Sequence, residues 1–458
     1  MVVSNRGPVT YGRGPNGERT ESRGGGGLAT ALRGLVEQHD TTWIANAMTD
    51  EDRVVAGERQ HGTMLLAQDP DAYARFYNVA ANPTLWFLQH MLWNLGRTPD
   101  WDDERHDAWT NGYVPVNASM ARAVVAELER DPDADVFFHD YHLYLAPAIV
   151  RREVPDAVMS HFVHVPWPET DAWSVLPEPL RRDVFAGLLA NDVVGFHTDR
   201  WRRSFLRGCA DVLGARVDGH VVEHEGRRTR VTAHPIGIDT AEFEALAAGE
   251  EVCARERELV ASRTEMLVLR VDRTDPSKNV VRGLRAFGVM LERHPELRGR
   301  ARMLALLDPS RQDIPEYADY VAAIEREAEK LGDCVDLRVG DDFARSVAAY
   351  KQFDALLVNA VFDGLNLVSK EAPYVNTRDG VLVLSENAGS HAELGEWALT
   401  VNPFDVSGQA DALYVALTMK PEEKRRRLDA IRAHVRAHDV REWGELQMAD
   451  LLRLRSRR

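Results

Sequence analysis

Polar residues with chemical potential stand in this chain at the ends of apolar runs. Arg273 and Lys278 lie in the loop that closes EMLVLRVDRTDPSKN, residues 265 to 279. A guanidinium and an ammonium so close together suit a ligand that carries phosphate. A second group, Phe362-Asp-Gly-Leu-Asn-Leu-Val-Ser-Lys-Glu371, follows the apolar run FDALLVNAV, residues 353 to 361. Asp363 can accept hydrogen bonds from vicinal sugar hydroxyls, and Gly364 lets the backbone approach a ligand with no Cβ in the way. Eight residues beyond Asp363, about two helical turns, Glu371 is expected on the same face and could hold a ribose diol. A tight strand-to-helix turn with a capping Asp accounts for this stretch equally well. A third group is Gly24 to Gly27, followed by Leu28, Leu32 and Leu35 at helical spacing. Four glycines at a helix amino terminus favour an anion, because free N–H groups and the positive end of the dipole face the loop; a flexible linker is the alternative.

These residues need strands and helices to hold them. FDALLVNAV reads as a buried parallel strand and LVSKEA as the start of a helix, which Pro373 keeps short or kinked. DVFFHDYHLYLAPAIV, residues 135 to 150, places His139, Asp140, Tyr141 and His142 at a strand end. AVMSHFVHVPWP brings His164 to the end of another, with Pro166 and Pro168 stopping it. NDVVGFHTDRW repeats the form with Gly195 and His197. Strands alternating with helices predict parallel sheets covered on both faces, with polar strand ends along one edge. Met1-Val-Val-Ser reads as the end of a first strand, begun so abruptly that it is expected to be incomplete. The pattern restarts after GRRTRVTAHPIGID, with the strands EMLVLRVD, ARMLALLD, DCVDLRV, FDALLVNAV and GVLVLSE.

A chain of 458 residues is too long for one core. Two α/β domains are expected: residues 1–235 with a carboxyl-terminal helix at about 440–458, and residues 236–439. The formal charge of −16 argues against a nucleic-acid partner, so any anionic ligand must be held by a few local cations. No run of 18 apolar residues predicts a membrane span, and MVVSNRGP lacks signal-peptide organisation, so a cytoplasmic enzyme is expected. Cys209, Cys253 and Cys334 fit neither a disulfide framework nor a zinc pattern and read as small buried apolar residues. Among Phe76, Tyr77, Trp86, Trp93, Trp101, Trp109 and Tyr113, most are expected to pack and one or two to wall a sugar site. Basic RRRLDAIRAHVR reads as the solvated face of an amphipathic helix.

Taken in order, VVSNRGP, GGGGLATAL, LW at 85 to 86, HDYHL, FVHVPWP, GFHTDRWRRSFL, PIGID, VDRTDPSKN, DPSRQD, DGLNLVSKE and VLSENAGSHAEL resemble the motifs of the trehalose-6-phosphate synthases, glycosyltransferase family 20. The resemblance spans essentially the whole chain. It implies a GT-B fold of two doubly wound Rossmann-like domains facing across a cleft, the earlier binding an acceptor and the later a nucleotide sugar. It implies that Arg273, Lys278 and the backbone N–H of Gly27 bind the donor diphosphate. Asp363 and the backbone of Gly364, Leu365, Asn366 and Leu367 would bind the donor sugar and phosphate, Glu371 the ribose, and His164 would lie beside the donor sugar. Arg6, Tyr77, Trp86 and Arg311 match residues that bind glucose 6-phosphate, and Asp140 one that binds the acceptor hydroxyls. Catalysis would rest on Arg273, Lys278, His164 and Asp140, through front-face substitution in which the leaving phosphate helps deprotonate the incoming hydroxyl. No protein nucleophile, cofactor or metal is implied. Two positions depart from the pattern: Asn46 stands where a tryptophan is usual, and Phe362 where an arginine is usual before Asp-Gly.

After DCVDLRV the chain reads Gly340-Asp341-Asp342-Phe343. Guanine offers adjacent N1–H and N2–H donors to a carboxylate, whereas uracil offers only N3–H, so Asp341 points to GDP-glucose over UDP-glucose. Helix capping by the two aspartates is the alternative. Two other functions compete: a pseudo-glycosyltransferase that couples cyclitols, and an inactive regulatory homologue, which should have lost Arg273, Lys278 or Asp363. No phosphatase domain is expected after residue 458, and self-association is left open.

Overall fold

The computed structural model describes residues 1–14, 16–23 and 41–455. Gly27 and the helix expected after it lie outside the described residues. The chain divides into two compact units, Met1–Ile236 with Val440–Arg458, and Gly237–Asp439.

In the first unit the strands in chain order are β1 (Val2–Val3), β2 (Val9–Arg13), β3 (Arg19–Arg23), β4 (Trp43–Asn46), β5 (Arg59–Gln60), β6 (Thr63–Leu66), β7 (Asp135–His139), β8 (Val158–Val163), β9 (Val193–Phe196), β10 (Arg216–Asp218), β11 (Val221–His224) and β12 (Arg227–Ala233). Strands β2 and β3 form a separate hairpin. The others form one sheet in the order β10-β11-β12-β9-β8-β7-β1-β4-β6-β5. It is parallel from β12 across to β6 and antiparallel at both margins. Chain order reverses between β1 and β7, so the residues after those two strands border a switch point, where open α/β sheets leave a crevice at the carboxyl ends of the strands. Asn5-Arg6 come after β1, and His139 ends β7 with Asp140 following it.

The second unit holds β13 (Met266–Arg273), β14 (Ala301–Asp308), β15 (Val335–Val339), β16 (Ala355–Val358), β17 (Val381–Ser385) and β18 (Leu399–Val401). All five pairings are parallel, in the order β15-β14-β13-β16-β17-β18. Leu267, Leu269 and Val271 feed one buried cluster and Val268 the other, which is why β13 reads as an unbroken apolar run: helices cover both faces. The switch point lies between β13 and β16, the strands that precede Lys278 and Asp363.

Local chemistry sets the helix ends. Thr198 caps the helix Asp199–Leu213 by accepting from the Trp201 amide, and Gly214 closes it in the left-handed region at φ 66°. The basic helix Pro421–Ala437 buries Leu428, Ile431 and Val435 on one side. Cys209 is buried and Cys253 and Cys334 are half-buried; all three are free thiols. Among the described residues no helix is long and apolar enough to cross a membrane.

Candidate active site

In the second unit the turn after β13 is built to present cations. Asp275 is wholly buried; its Oδ1 accepts from the Ser277 amide, and its backbone carbonyl accepts from that of Lys278, closing the short turn Pro276–Lys278. Asn279 follows at φ 59°, and the helix Val280–Arg293 begins there. Buried Arg270 donates to the Lys278 carbonyl at 2.5 Å and to Asp272 at 2.9 Å, which fixes the turn from beneath. The Ser277 carbonyl accepts from the Val361 amide at 2.8 Å, tying this turn to the segment after β16.

That segment carries the partner charge. Lys278 Nζ lies 2.5 Å from Asp363 Oδ2, and Asn366 Nδ2 donates to the same oxygen at 3.1 Å. Asn366 sits at φ 86°, and its Oδ1 accepts from Ser369 N–H at the start of the helix Val368–Val375. The positive φ breaks helical geometry, so Glu371 lies in the first turn of that helix, not two turns beyond Asp363 as its spacing suggests. Its carboxyl is pushed up to about 7 by burial, opposed by a hydrogen bond from the Tyr350 hydroxyl at 3.4 Å.

The Asp363-Gly364 backbone is clamped from the side by residues after β17. Asp363 N–H donates to the Asn387 carbonyl, Gly389 N–H to the Asp363 carbonyl and Ser390 N–H to the Leu365 carbonyl. A Cβ on Gly389 would stand 1.9 Å from the Gly364 carbonyl oxygen. Gly389→Ala should therefore displace the Asp363 loop and lower turnover by about a hundredfold, on the scale of an ångström-level misplacement. Full turnover with an undisturbed melting temperature would contradict this.

Around Arg273 the charges are mixed. It pairs in register with Asp308, and its Nη2 lies 4.0 Å from Asp275 Oδ2. Burial first, then the charge of Asp341, pushes Asp308 up to about 6, while Arg273 opposes the shift. Arg311, at φ 49°, donates from Nη1 to Asp275 Oδ2 at 3.0 Å and to the Tyr317 hydroxyl at 2.9 Å. One buried carboxylate oxygen thus faces two arginines, a connection that the separation of 275 and 311 in the sequence conceals. At the end of β15, Asp342 alone caps the helix Phe343–Gln352, accepting from the Arg345 amide at 2.9 Å, and pairs with Arg255 and Arg345. Asp341 is exposed beside it.

In the first unit Arg6 donates to the Tyr77 hydroxyl at 3.2 Å, and the Tyr77 ring stacks between those of Tyr73 and His142. Asn46 is buried within a relay in which Gln68 donates to Asn46 and Asn46 to Asn5, next to Arg6. The residue at this departure from the usual pattern therefore supports the Arg6 loop. Trp86 is 6% exposed, stacked on His90 and tilted against Tyr141. Asp140 holds φ 71°, and its Oδ1 accepts from His164 N–H at 3.4 Å. Arg6, Tyr77, Trp86, Asp140 and His164 belong to the first unit, and Arg273, Lys278, Arg311, Asp341, Asp363 and Glu371 to the second. Among the described residues no group of three or more His, Cys, Asp or Glu is disposed to hold a metal ion.

The model of "Glycosyltransferase family 20" matches residues 1–453. The chain belongs to glycosyltransferase family 20. This family 20 glycosyltransferase is 31% identical to a validamine 7-phosphate valienyltransferase of Streptomyces hygroscopicus subsp. jinggangensis, over 98% of this chain and 94% of that one. It is 36% identical to a bifunctional trehalose-6-phosphate synthase/phosphatase of Thermoproteus tenax, over 100% of this chain and 64% of the relative. Its fold matches a crystal structure of an alpha,alpha-trehalose-phosphate synthase (UDP-forming) from Burkholderia xenovorans in complex with glucose-6-phosphate, with TM-score 0.83 and 26% identity over 98% of this chain and 99% of that one. The enzyme is thus an α/β glycosyltransferase of GT-B type.

Proposed function

We propose that this enzyme transfers glucose with retention from a nucleoside diphosphate glucose to glucose 6-phosphate, giving α,α-trehalose 6-phosphate and the nucleoside diphosphate. The observation that carries the reading is the Lys278–Asp363 pair at the β13/β16 switch point, with Arg273 and Glu371 on the same strand edge. In this reading the ammonium and guanidinium neutralise the departing diphosphate, together with Gly27, and the backbone of Gly364 to Leu367 holds phosphate and sugar. Asp363 accepts from the sugar hydroxyls and His164 stands beside that sugar. Arg6, Tyr77, Trp86 and Arg311 take the acceptor phosphate and sugar face, and Asp140 its hydroxyls. The bond from glucose C1 to the leaving phosphate oxygen breaks as the bond from C1 to the acceptor oxygen forms. The acceptor proton passes to the leaving phosphate. Nucleotide release that depends on glucose 6-phosphate tests this, and release only with an aminocyclitol phosphate would favour the valienyltransferase-like alternative.

The preferred donor in this reading is GDP-glucose. Asp342 satisfies the helix cap by itself, so capping leaves the Asp341 carboxylate available for the paired N–H groups of guanine.

Glu371 gives the reading a pH signature. A ribose diol donates two hydrogen bonds to the carboxylate and so favours its ionised form, whereas the free enzyme binds a proton there with a pKa of about 7. The unliganded state holds more proton, so nucleotide affinity should rise with pH, by about tenfold between about pH 6 and pH 8, then level off. Calorimetric titration of the diphosphate should show a steeper slope in the wild type than in Glu371→Gln, where the terminal phosphate, itself titrating near about pH 6, still contributes. An equal slope in both would remove Glu371 from the ribose site.

A further inference from the structure

The ends of three neighbouring parallel strands bring histidines into series. His139 ends β7, His164 follows β8 and His197 follows β9. His139 Nδ1 lies 3.1 Å from His164 Nε2, and His164 Nδ1 lies 3.3 Å from His197 Nε2. The series ends on a backbone amide, since Ile236 N–H donates to His197 Nδ1 at 3.4 Å. An amide N–H can only donate, so His197 Nδ1 accepts and the ring proton sits on Nε2. That N–H faces His164 Nδ1, which must accept, and His164 therefore carries its own proton on Nε2. The same step repeats at His139, whose Nε2–H is buried and has no hydrogen-bond partner among the described residues.

We infer that His197 is a positioning residue: it passes the direction set by the Ile236 amide through His164 to His139, holding all three imidazoles as Nε2–H tautomers in one orientation. Both ring nitrogens of His164 are then engaged within the protein. Its imidazole neither takes a proton from substrate nor gives one, which leaves the leaving phosphate as the base. That bearing on catalysis rests on the proposed place of His164 beside the donor sugar; the tautomers do not.

The surroundings suit neutral rings. Burial, reinforced by the neighbouring imidazoles, lowers His139 and His164 well below the usual histidine value, and burial brings His161 down to about 3. His161 shares the tautomer independently, because its Nε2 lies 3.0 Å from the Asp140 carbonyl, which only accepts. Phe162 and Trp443 pack against His164, and the Asp140 carboxylate accepts from its backbone N–H. A further proton within the series would set two N–H groups against each other.

Side-chain 15N NMR of the histidine-labelled full chain tests the inference with His197→Gln and His197→Met. Glutamine can accept from the Ile236 amide and donate to His164, whereas methionine can do neither. His139 and His164 should show the neutral Nε2–H pattern without titration between about pH 6 and pH 8 in the wild type and in His197→Gln. In His197→Met, His164 should lose that fixed pattern and kcat should fall, with His197→Gln restoring both. A wild-type His164 protonated on Nδ1, or His164 signals unchanged in His197→Met, would overturn the inference. A disturbed His164 with unchanged kcat would overturn its catalytic bearing. His164 signals indifferent to a bound sugar nucleotide would instead count against the proposed place of His164 and leave the tautomers standing.

Discussion

Replacing Lys278 by alanine should lower kcat by about 10²- to 10³-fold, the usual cost of removing one charge-stabilising donor from a transition state. The ammonium sits 2.5 Å from Asp363 and is 13% exposed, on a turn held by Asp275 and Arg270. Its position is thus prepaid by the fold, and charge developing on a leaving diphosphate meets a cation that need not reorganise. The substitution also strips Asp363 of its counter-charge, so binding of the donor should weaken as well, though less than turnover. Lys278→Arg should recover part of the loss, because charge returns without the compact geometry of the ammonium. Steady-state kinetics beside a melting curve would check this. A Lys278→Ala enzyme that stays folded and turns over at the wild-type rate would contradict it.

The second large effect expected is a change of donor. Asp341→Asn should lower the ratio of kcat/KM for GDP-glucose to that for UDP-glucose by about ten- to a hundredfold, the range of one bidentate base contact. An asparagine side chain offers one oxygen where guanine presents two donors, and its NH₂ then opposes a guanine N–H. Turnover of UDP-glucose should be nearly unchanged. The same substitution removes a negative charge that raises Asp308, so the Asp308 carboxyl should titrate lower in the variant. A wild type that uses UDP-glucose as well as or better than GDP-glucose would refute the guanine reading outright.

Much of the fold was legible because the strands are buried on both faces and therefore spelled as unbroken apolar runs, as in Met266–Arg273 and Ala301–Asp308. Brief strands escaped notice: Leu399–Val401 is three residues at a sheet edge, with no room for a period to show. The segment Phe76–Leu85, whose helical path is broken at extended Asn82 before Pro83, also left no periodic signal. At the candidate site, the positions of Arg273, Lys278 and Asp363 at the ends of strands were readable from the apolar runs before them. The Asp275–Arg311 pair was not, and of the histidine series only the strand-end positions of His139, His164 and His197 were. Both are made by parallel register between consecutive strands whose ends a helical crossover separates in sequence, and nothing in the local sequence marks which side chains will meet. The spacing misplaced Glu371, since the left-handed backbone of Asn366 interrupts the helix that the spacing assumed.

Glucosyl transfer to a phosphorylated hexose is most directly tested by incubating the enzyme with GDP-glucose or UDP-glucose and glucose 6-phosphate, and reading the product by NMR. Nucleoside diphosphate should be released in step with one disaccharide phosphate whose two anomeric protons both show the small coupling of α linkages. No disaccharide from glucose 6-phosphate with either donor, beside turnover with an aminocyclitol phosphate, would contradict it.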